Sequence, residues 1–394
     1  MKQLGSLVSN VFSKRILAVA GTAALLGGCA VIPKTEPVST APEAAPTPQP
    51  SATALPADAT RHRVALLVPM SGETADVGQS IANATTMALI DTNANNIRIT
   101  TYDTADGAAG AARKAIADGN KLILGPLLAA DVPAVQAAAR PARVPAISFS
   151  NDSSVASADV FVMGHVPEQS IRRTVQYARS KGSKSFAALV PEGEYGQKSF
   201  DALTNALRDF GGNLVGSAQY SRGNTSVVSA AQRLRAAGGY DTVLIADGAR
   251  LAVQAADELK SGGASGVRLL GTELWSGEST LARSNSINGA LFSAVSDGRY
   301  RRFAESYEAR FGSRPYRIAT LGYDSVLLTL RVARDWRVGT NFPAAELFDR
   351  GGFLGVDGPF RFQRNGVAER ALEVREVRGD SVVAVDPAPR GFGQ

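Results

Sequence analysis

From Arg63 onward, short apolar runs alternate with segments of helical spacing. RVALLVPM (63–70) is a continuous run of buried-strand length, and VGQSIANATTMALIDT (77–92) places Ile81, Ala84, Ala88 and Leu89 on one helical face. IRITTYD (97–103) then reads as a strand, GAAGAARKAIADG (107–119) as a helix ending at Gly, and KLILGP (121–126) as a strand. A helix with an early Pro follows at 129–142, and VPAISFS (144–150) supplies a fourth strand. Such alternation predicts parallel strands joined by crossover helices.

The pattern restarts after residue 166. Helical spacing over 167–182, 195–212, 227–239 and 249–263 alternates with strand runs at 185–192, 213–220, 240–247 and 267–272. ALFSAV (290–295) reads as a further strand, followed by helical patterns at 301–312 and 317–336. The end changes character: 358–387 reads as antiparallel hairpins, with turns at Arg364-Asn365-Gly366 and Arg378-Gly379-Asp380. The expected fold class is therefore α/β, two halves each with a mostly parallel sheet flanked by helices, then a C-terminal β-hairpin tail.

The first 60 residues follow neither pattern. Lys2, Lys14 and Arg15 are the only charges before residue 29, and an apolar stretch, Ile16 to Leu26, follows them. That is the length of a signal-peptide core and too short to span a bilayer as a helix. Leu26-Gly27-Gly28-Cys29 resembles the bacterial lipobox, which implies cleavage before Cys29, the only cysteine of the chain, and lipid on its sulfur. The alternative is a buried structural thiol behind an ordinary signal. Ala30 after the cysteine, by resemblance to enterobacterial lipoproteins, favours the outer membrane, with the chain facing the periplasm. Residues 29–60 are rich in Pro, Ala, Thr and Ser and poor in large apolar side chains. They read as a semi-extended tether.

Charge narrows the partners. The segment before Cys29 carries three of the 42 basic residues and none of the 36 acidic ones, so the remainder has a net charge of +3. So small an excess gives no footprint for nucleic acid. A chain with no second cysteine can form no internal disulfide, so its cores must hold it.

Catalytic patterns are missing. The two histidines, His62 and His165, lie in different segments, and there is no CxxC, HExxH, GxSxG, SxxK or phosphate-cradling GxxxxGK. Neither a metal site nor a cofactor is expected, and no residue is assigned a catalytic role. Asp103 and Asp106 suit helix capping better than acid–base work. Arg299, Arg301, Arg302, Arg310, Arg314 and Arg317, interleaved with Glu305 and Glu308, read as a solvated helix face, with a partner surface as the alternative.

Seven stretches in order carry a family likeness: VPMSGETADVGQSIANATTMAL (68–89), YDTADG (102–107), LILGPLLAADVPAV (122–135), VPAISFSND (144–152), PEGEYGQKSF (191–200), GTELW (271–275) and LGYDSVLL (321–328). They resemble the type 1 periplasmic binding proteins of the leucine/isoleucine/valine receptor kind. The lipobox, the Pro-rich tether and the tail GVAERALEVREV (366–377) resemble, within that superfamily, the bacterial penicillin-binding protein activators. Those lack enzymatic activity and stimulate a bifunctional peptidoglycan synthase. The extra helical-repeat domain that many of them carry is missing here. The resemblance implies two lobes joined by three crossings, lobe one at 61–165 with 292–335 and lobe two at 166–291 with 336–390. It implies a regulatory role with a penicillin-binding protein as partner, or alternatively solute capture for an ABC importer of amino acids or related solutes.

Strand ends of open α/β sheets face the crevice, so a ligand would sit between the lobes. That places Ser71, Gly72, Gly125, Pro126, Ser148, Ser150, Asn151, Asp152, Tyr195, Gly196, Asp247 and Glu273 around the cleft. By resemblance, Tyr195 would stack on a ligand and Glu273 would bind its ammonium. Ala129 stands where receptors hold the ligand carboxylate with a hydroxyl, Asp152 where a threonine helps, and Val77 where an aromatic covers the ligand. These departures argue against an ordinary α-amino acid held in the receptors' way. A cationic or polyol ligand, or an empty cleft, is the remaining expectation.

Overall fold

The computed structural model describes residues 58–392, apart from 224 and 264–265. The signal segment, Cys29 and the tether to residue 57 lie outside the described residues. In the first lobe, β1 (His62–Val68), β2 (Ile97–Asp103), β3 (Leu122–Leu124), β4 (Ala146–Ser148) and β5 (Val160–Val162) form an all-parallel sheet in the order β2-β1-β3-β4-β5. Because successive strand residues face opposite ways, Val64, Leu66 and Val68 pack toward helix α1 (Ala75–Asp91), while Ala65 and Leu67 pack toward α2 (Ala108–Ala117) and α3 (Val132–Ala139). The expected helix over 129–142 is α3 alone, flanked by single 3₁₀ turns at 129–131 and 140–142.

The second lobe repeats the plan. α4 (Pro167–Ser180), β6 (Ser185–Pro191), α5 (Glu194–Phe210), β7 (Asn213–Tyr220), α6 (Ser226–Ala237), β8 (Thr242–Ile245), α7 (Ala249–Leu259), β9 (Arg268–Leu270) and β10 (Leu291–Ala294) follow in sequence. The strands run in the order β7-β6-β8-β9-β10. Phe186, Ala188 and Val190 face α4 and α5, whereas Ala187 and Leu189 face α6 and α7. The chain then returns to the first lobe: α8 (Asp297–Phe311) packs Phe303 and Tyr307 against Ala84 and Met87, and α9 (Thr320–Val332) lies along α1.

The tail divides between the lobes. β11 (Phe353–Gly355), β12 (Gly358–Phe362) and β13 (Ala368–Arg370) form a small antiparallel sheet, while β14 (Glu373–Arg378) and β15 (Ser381–Asp386) extend the second sheet beyond β10. Both expected hairpin turns are present. The lobe borders differ from those expected. Strand pairing puts 291–294 in the second sheet rather than the first lobe. Trp336, Phe342, Leu347, Phe360, Phe362 and Ala368 are buried in the first lobe's core, so 336–370 belongs there. The cause is apolar burial: Trp336 stacks on His62 at a ring separation of 4.0 Å and meets Phe342 edge-on. Only 373–386 rejoins the second sheet. The chain thus crosses between lobes near 163–166, 294–297 and 370–373.

Candidate ligand-binding cleft

The first lobe spends its polar groups on its own loops. Asp103, at the end of β2, accepts from the Met70 amide (2.8 Å), the Ser71 hydroxyl (2.8 Å) and the Ala105 amide (2.9 Å). The Ala105 and Met70 amides hold its carboxyl below the ordinary value. Ser71 and Gly72 are exposed. Gly125 has a φ of +105° and a Cβ there would meet the Leu67 carbonyl oxygen at 2.2 Å, so it and Pro126 turn the chain under close packing. Ser148 donates to the Pro126 carbonyl (3.0 Å) and accepts from the Ser150 amide (3.1 Å). Ser150 accepts from the Asp152 amide (3.0 Å). Asp152 accepts from the Ser154 amide (2.7 Å) and hydroxyl (2.6 Å). This chain of side-chain-to-backbone bonds builds the loop and leaves little capacity for a ligand. Asn151 is exposed; Ala129 and Val77 are half-buried.

The second lobe is different. Tyr195 donates to Glu273 Oε1 (2.9 Å) and meets the Thr272 hydroxyl (2.9 Å), with Arg222 over its ring. Glu273 Oε2 is buried without a partner, as are Ser276 Oγ and Glu168 Oε2 nearby. Burial pushes the Glu273 carboxyl up to about 8, against hydrogen bonds from its own backbone and from Tyr195; the Glu168 charge pushes the same way as burial. Asp247 belongs to an adjoining cluster that shares Arg222, accepting from Tyr220 (2.6 Å), Arg222 (2.9 Å) and the Gly248 amide (2.8 Å). Gly196 is required for packing, since a Cβ would lie 1.8 Å from the Pro191 carbonyl oxygen.

The lobes touch across the cleft. Lys198 on α5 pairs with Asp152 and donates to the Ser154 hydroxyl (3.0 Å), and the Ser153 hydroxyl donates to Glu168 Oε1 (2.6 Å). Burial alone would raise the Asp152 carboxyl, but Lys198 and Ser154 hold it below its ordinary value. At the crossings and the second lobe lies a cavity of about 20 Å³, lined among others by His165, Gln169, Ser170, Glu273, Ser276 and Arg370.

The crossings carry a buried charge cluster. Asp357 accepts from Arg317 (2.6 Å) and Thr320 (2.8 Å), and His165 Nε2 lies 2.9 Å from it. Burial would raise Asp357, yet Arg317 and His165 hold it far below the usual carboxylate range. Asp324, which faces the same segment through the Val356 amide (2.6 Å), is pushed up to about 7 by burial and by the Asp357 charge. Arg317, read as part of a solvated helix face, is instead a buried partner of Asp357. Arg310 and Arg314 do stay at the surface, paired with Asp91 and Glu308. Among the described residues no group of three or more His, Cys, Asp or Glu is arranged to hold a metal ion, and no helix is long and apolar enough to cross a membrane.

Tyr195 and Glu273 were legible from the family pattern. Glu168, Ser276, Lys198 and Arg370 were not: each sits in an unremarkable local sequence, and only the fold brings them to the cleft.

Comparison with known proteins agrees with this architecture. The periplasmic binding protein family model matches residues 62–381. The chain belongs to the periplasmic binding protein family. A curated relative, an uncharacterised protein of Rickettsia prowazekii, is 32% identical over 146 residues, covering 36% of this chain and 39% of the relative. The leucine binding protein of Thermotoga maritima superposes with a TM-score of 0.65 at 18% identity, over 84% of this chain and 99% of that one. A solute binding protein of an ABC transporter from Rhodopseudomonas palustris, in complex with 3,4-dihydroxybenzoic acid, gives 0.66 at 19% identity, over 85% and 97%. The branched-chain amino acid transporter substrate binding protein of Streptococcus pneumoniae, in complex with isoleucine, gives 0.64 at 17%, over 84% and 100%. These likenesses establish the fold.

Proposed function

We propose that this chain is the solute-binding component of an ABC-type importer, taking a small amine-bearing solute between its lobes and held at the membrane by lipid on Cys29. The observation that supports this most is Glu273: one carboxyl oxygen is gripped by Tyr195 and the other is buried and unpartnered. A buried polar atom left unmade costs ~1–3 kcal/mol, which a ligand ammonium would offset by displacing the proton that burial keeps on this carboxyl. The fold neighbours also favour capture of a small organic solute, since leucine, isoleucine and an aromatic acid are named for those proteins. The test is thermal denaturation of the chain with amino acids, polyamines and aromatic acids. A saturable rise in Tm with an amine-bearing solute is expected. A flat response to all three classes would overturn the reading.

The inter-lobe contacts favour a second reading. Lys198 pairs with Asp152 across the lobes, and the cavity that Glu273 lines is too small for an organic solute, since ligand pockets run to hundreds of Å³. A protein that keeps its cleft shut would suit the regulator role, in which the tethered chain stimulates a bifunctional penicillin-binding protein from the outer membrane. Direct binding to such a synthase, with faster transpeptidation in vitro, is the outcome that would favour it.

A further inference from the structure

The small antiparallel sheet of the first lobe has two faces. Phe353, Phe360 and Phe362 turn inward to the core, and Leu354, Pro359 and Arg361 turn outward, as the two-residue period of the pairing requires. On that outer face lies the last aromatic residue of the chain. The Arg361 guanidinium stands 4.7 Å over the Phe392 ring, and its Nε donates to Glu369 (2.7 Å). Gly352 makes room beside the ring: its φ is +70°, and a Cβ there would lie 3.2 Å from Phe392 Cδ2.

What precedes Phe392 belongs to the other lobe. β15 extends the second sheet, Val385 packs against that lobe's core, and Asp386 accepts from Arg173 on α4 (2.6 Å). Residues 387–391 therefore pass from the second lobe back to the first, a fourth connection beside the three crossings. Strand register places its ends: Asp386 pairs with Val374, and Arg361 pairs with Glu369. The third crossing covers that interval in five residue steps, from 369 to 374, and the tail covers it in six, from 386 to 392. Six steps reach at most ~20 Å. Pro387 and Pro389 fix their φ angles and donate no hydrogen bond, which keeps the segment extended. Both prolines, Arg390 and Gly391 are exposed, while Phe392 is half-buried. The segment is thus held mainly at its two ends, alongside the hinge.

We propose that Pro387–Phe392 is a strap that limits how far the lobes part, with the Phe392 ring leaving its seat on Arg361 and Gly352 when they open. The ring is seated in the form whose lobes touch through Lys198 and Asp152. A contact made in that form and lost on opening shifts the balance toward closure by its own free energy. The strap acts whether the chain is a receptor or a regulator, since each role depends on how readily the cleft opens.

The test is double electron–electron resonance on the chain without residues 1–28, carrying Cys29→Ser, with spin labels at Asn151→Cys and Glu192→Cys, exposed positions on opposite lobes. It is run with Lys198 intact and with Lys198→Ala, which frees the lobes from their pair across the cleft. In the Lys198→Ala chain, Phe392→Ala and a stop after Asp386 should each raise the share of the longer distance about two- to fivefold, the worth of one exposed cation–aromatic contact. Phe392→Trp should keep the distances of its parent. A half-exposed ring can be removed without unfolding the chain, so Phe392→Ala decides even where the shortened chain does not fold. Distances that stay the same or shorten in both backgrounds would overturn the strap, as would a shift with Phe392→Trp as large as with Phe392→Ala. Neither result bears on whether a solute binds.

Discussion

The first five strands of each lobe wind in the same order, β2-β1-β3-β4-β5 in one and β7-β6-β8-β9-β10 in the other. The two lobes also share a packing device. In each, the first helix of the cleft comes so close to the preceding strand that only glycine fits: a Cβ on Gly78 would meet the Pro69 carbonyl oxygen at 1.7 Å, and one on Gly196 the Pro191 carbonyl oxygen at 1.8 Å. Yet the same scaffold treats polar side chains at the strand ends in opposite ways. In the first lobe Asp103, Ser148, Ser150 and Asp152 are consumed by local turns or by Lys198. In the second lobe Glu273, Glu168 and Ser276 keep buried oxygens free. A shared topology therefore does not make the two halves of a cleft equivalent. Among the described residues, Glu273, Glu168 and Ser276 on the second lobe and Arg317 and Arg370 at the crossings keep buried polar atoms unmet.

The sharpest way to break this picture is at the crossings. Asp357→Asn removes the carboxylate that serves Arg317 and faces Arg370, leaving buried cationic groups uncompensated. It should cost ~3–5 kcal/mol, read by urea denaturation. A loss below ~1 kcal/mol would show that the cluster is solvated in solution. Next in size, Gly78→Ala and Gly196→Ala should each cost about 3 kcal/mol through overpacking against backbone. Equal losses would confirm that the lobes are equivalent as scaffolds, and a tolerant Gly196→Ala would break the likeness.

The difference between lobes should also appear in the pH dependence of stability. Burial raises Glu273, on the second lobe, from 4.5 to about 8. Between those values the folded chain holds a proton that the unfolded chain has released. Stability therefore falls as pH rises through the window, and the loss is complete above the folded value. Glu273→Gln should gain on wild type progressively from pH 5 to 8, measured as the difference in unfolding free energy. Asp103→Asn, on the first lobe, should behave in the opposite sense. Its carboxyl is held low, so wild type has an advantage above the unfolded value that fades as pH falls. A Glu273→Gln difference that does not change with pH would show that this carboxyl is charged and solvated. The smallest effect belongs to Lys198→Ala. The partly buried pair should contribute ~1 kcal/mol to stability, but its loss should widen the radius of gyration in small-angle scattering. An unchanged radius would mean that the pair does not hold the lobes together.

Much of the fold was legible because each strand and helix announces itself locally. Runs such as RVALLV and FAALV have the length and continuity of strands buried on both faces, and helices such as Glu194–Phe210 carry a clear apolar stripe. What failed were the lobe borders, because membership depends on where a segment buries its aromatics. Nothing near Trp336 or Phe360 says that they pack under the first sheet. The strand Val160–Val162, three residues long, was too short to stand out. At the site, Tyr195 and Glu273 were readable from a family pattern, but their roles as donor and half-satisfied acceptor were not. Arg370 lies near the C-terminal end of the fold, about 100 residues beyond Glu273 in sequence, inside a hairpin tail. Only the third crossing of the chain brings it to the cavity.

In the proposed receptor, Glu273 is the group that receives the ligand. The most direct measurement is thermal denaturation of wild type beside Glu273→Gln, at pH 7 and in matched titrations of an amine-bearing solute. The prediction is a Tm that rises with concentration and saturates in wild type, and that stays flat in Glu273→Gln. An equal rise in both proteins would place the solute elsewhere and contradict the assignment of the cleft.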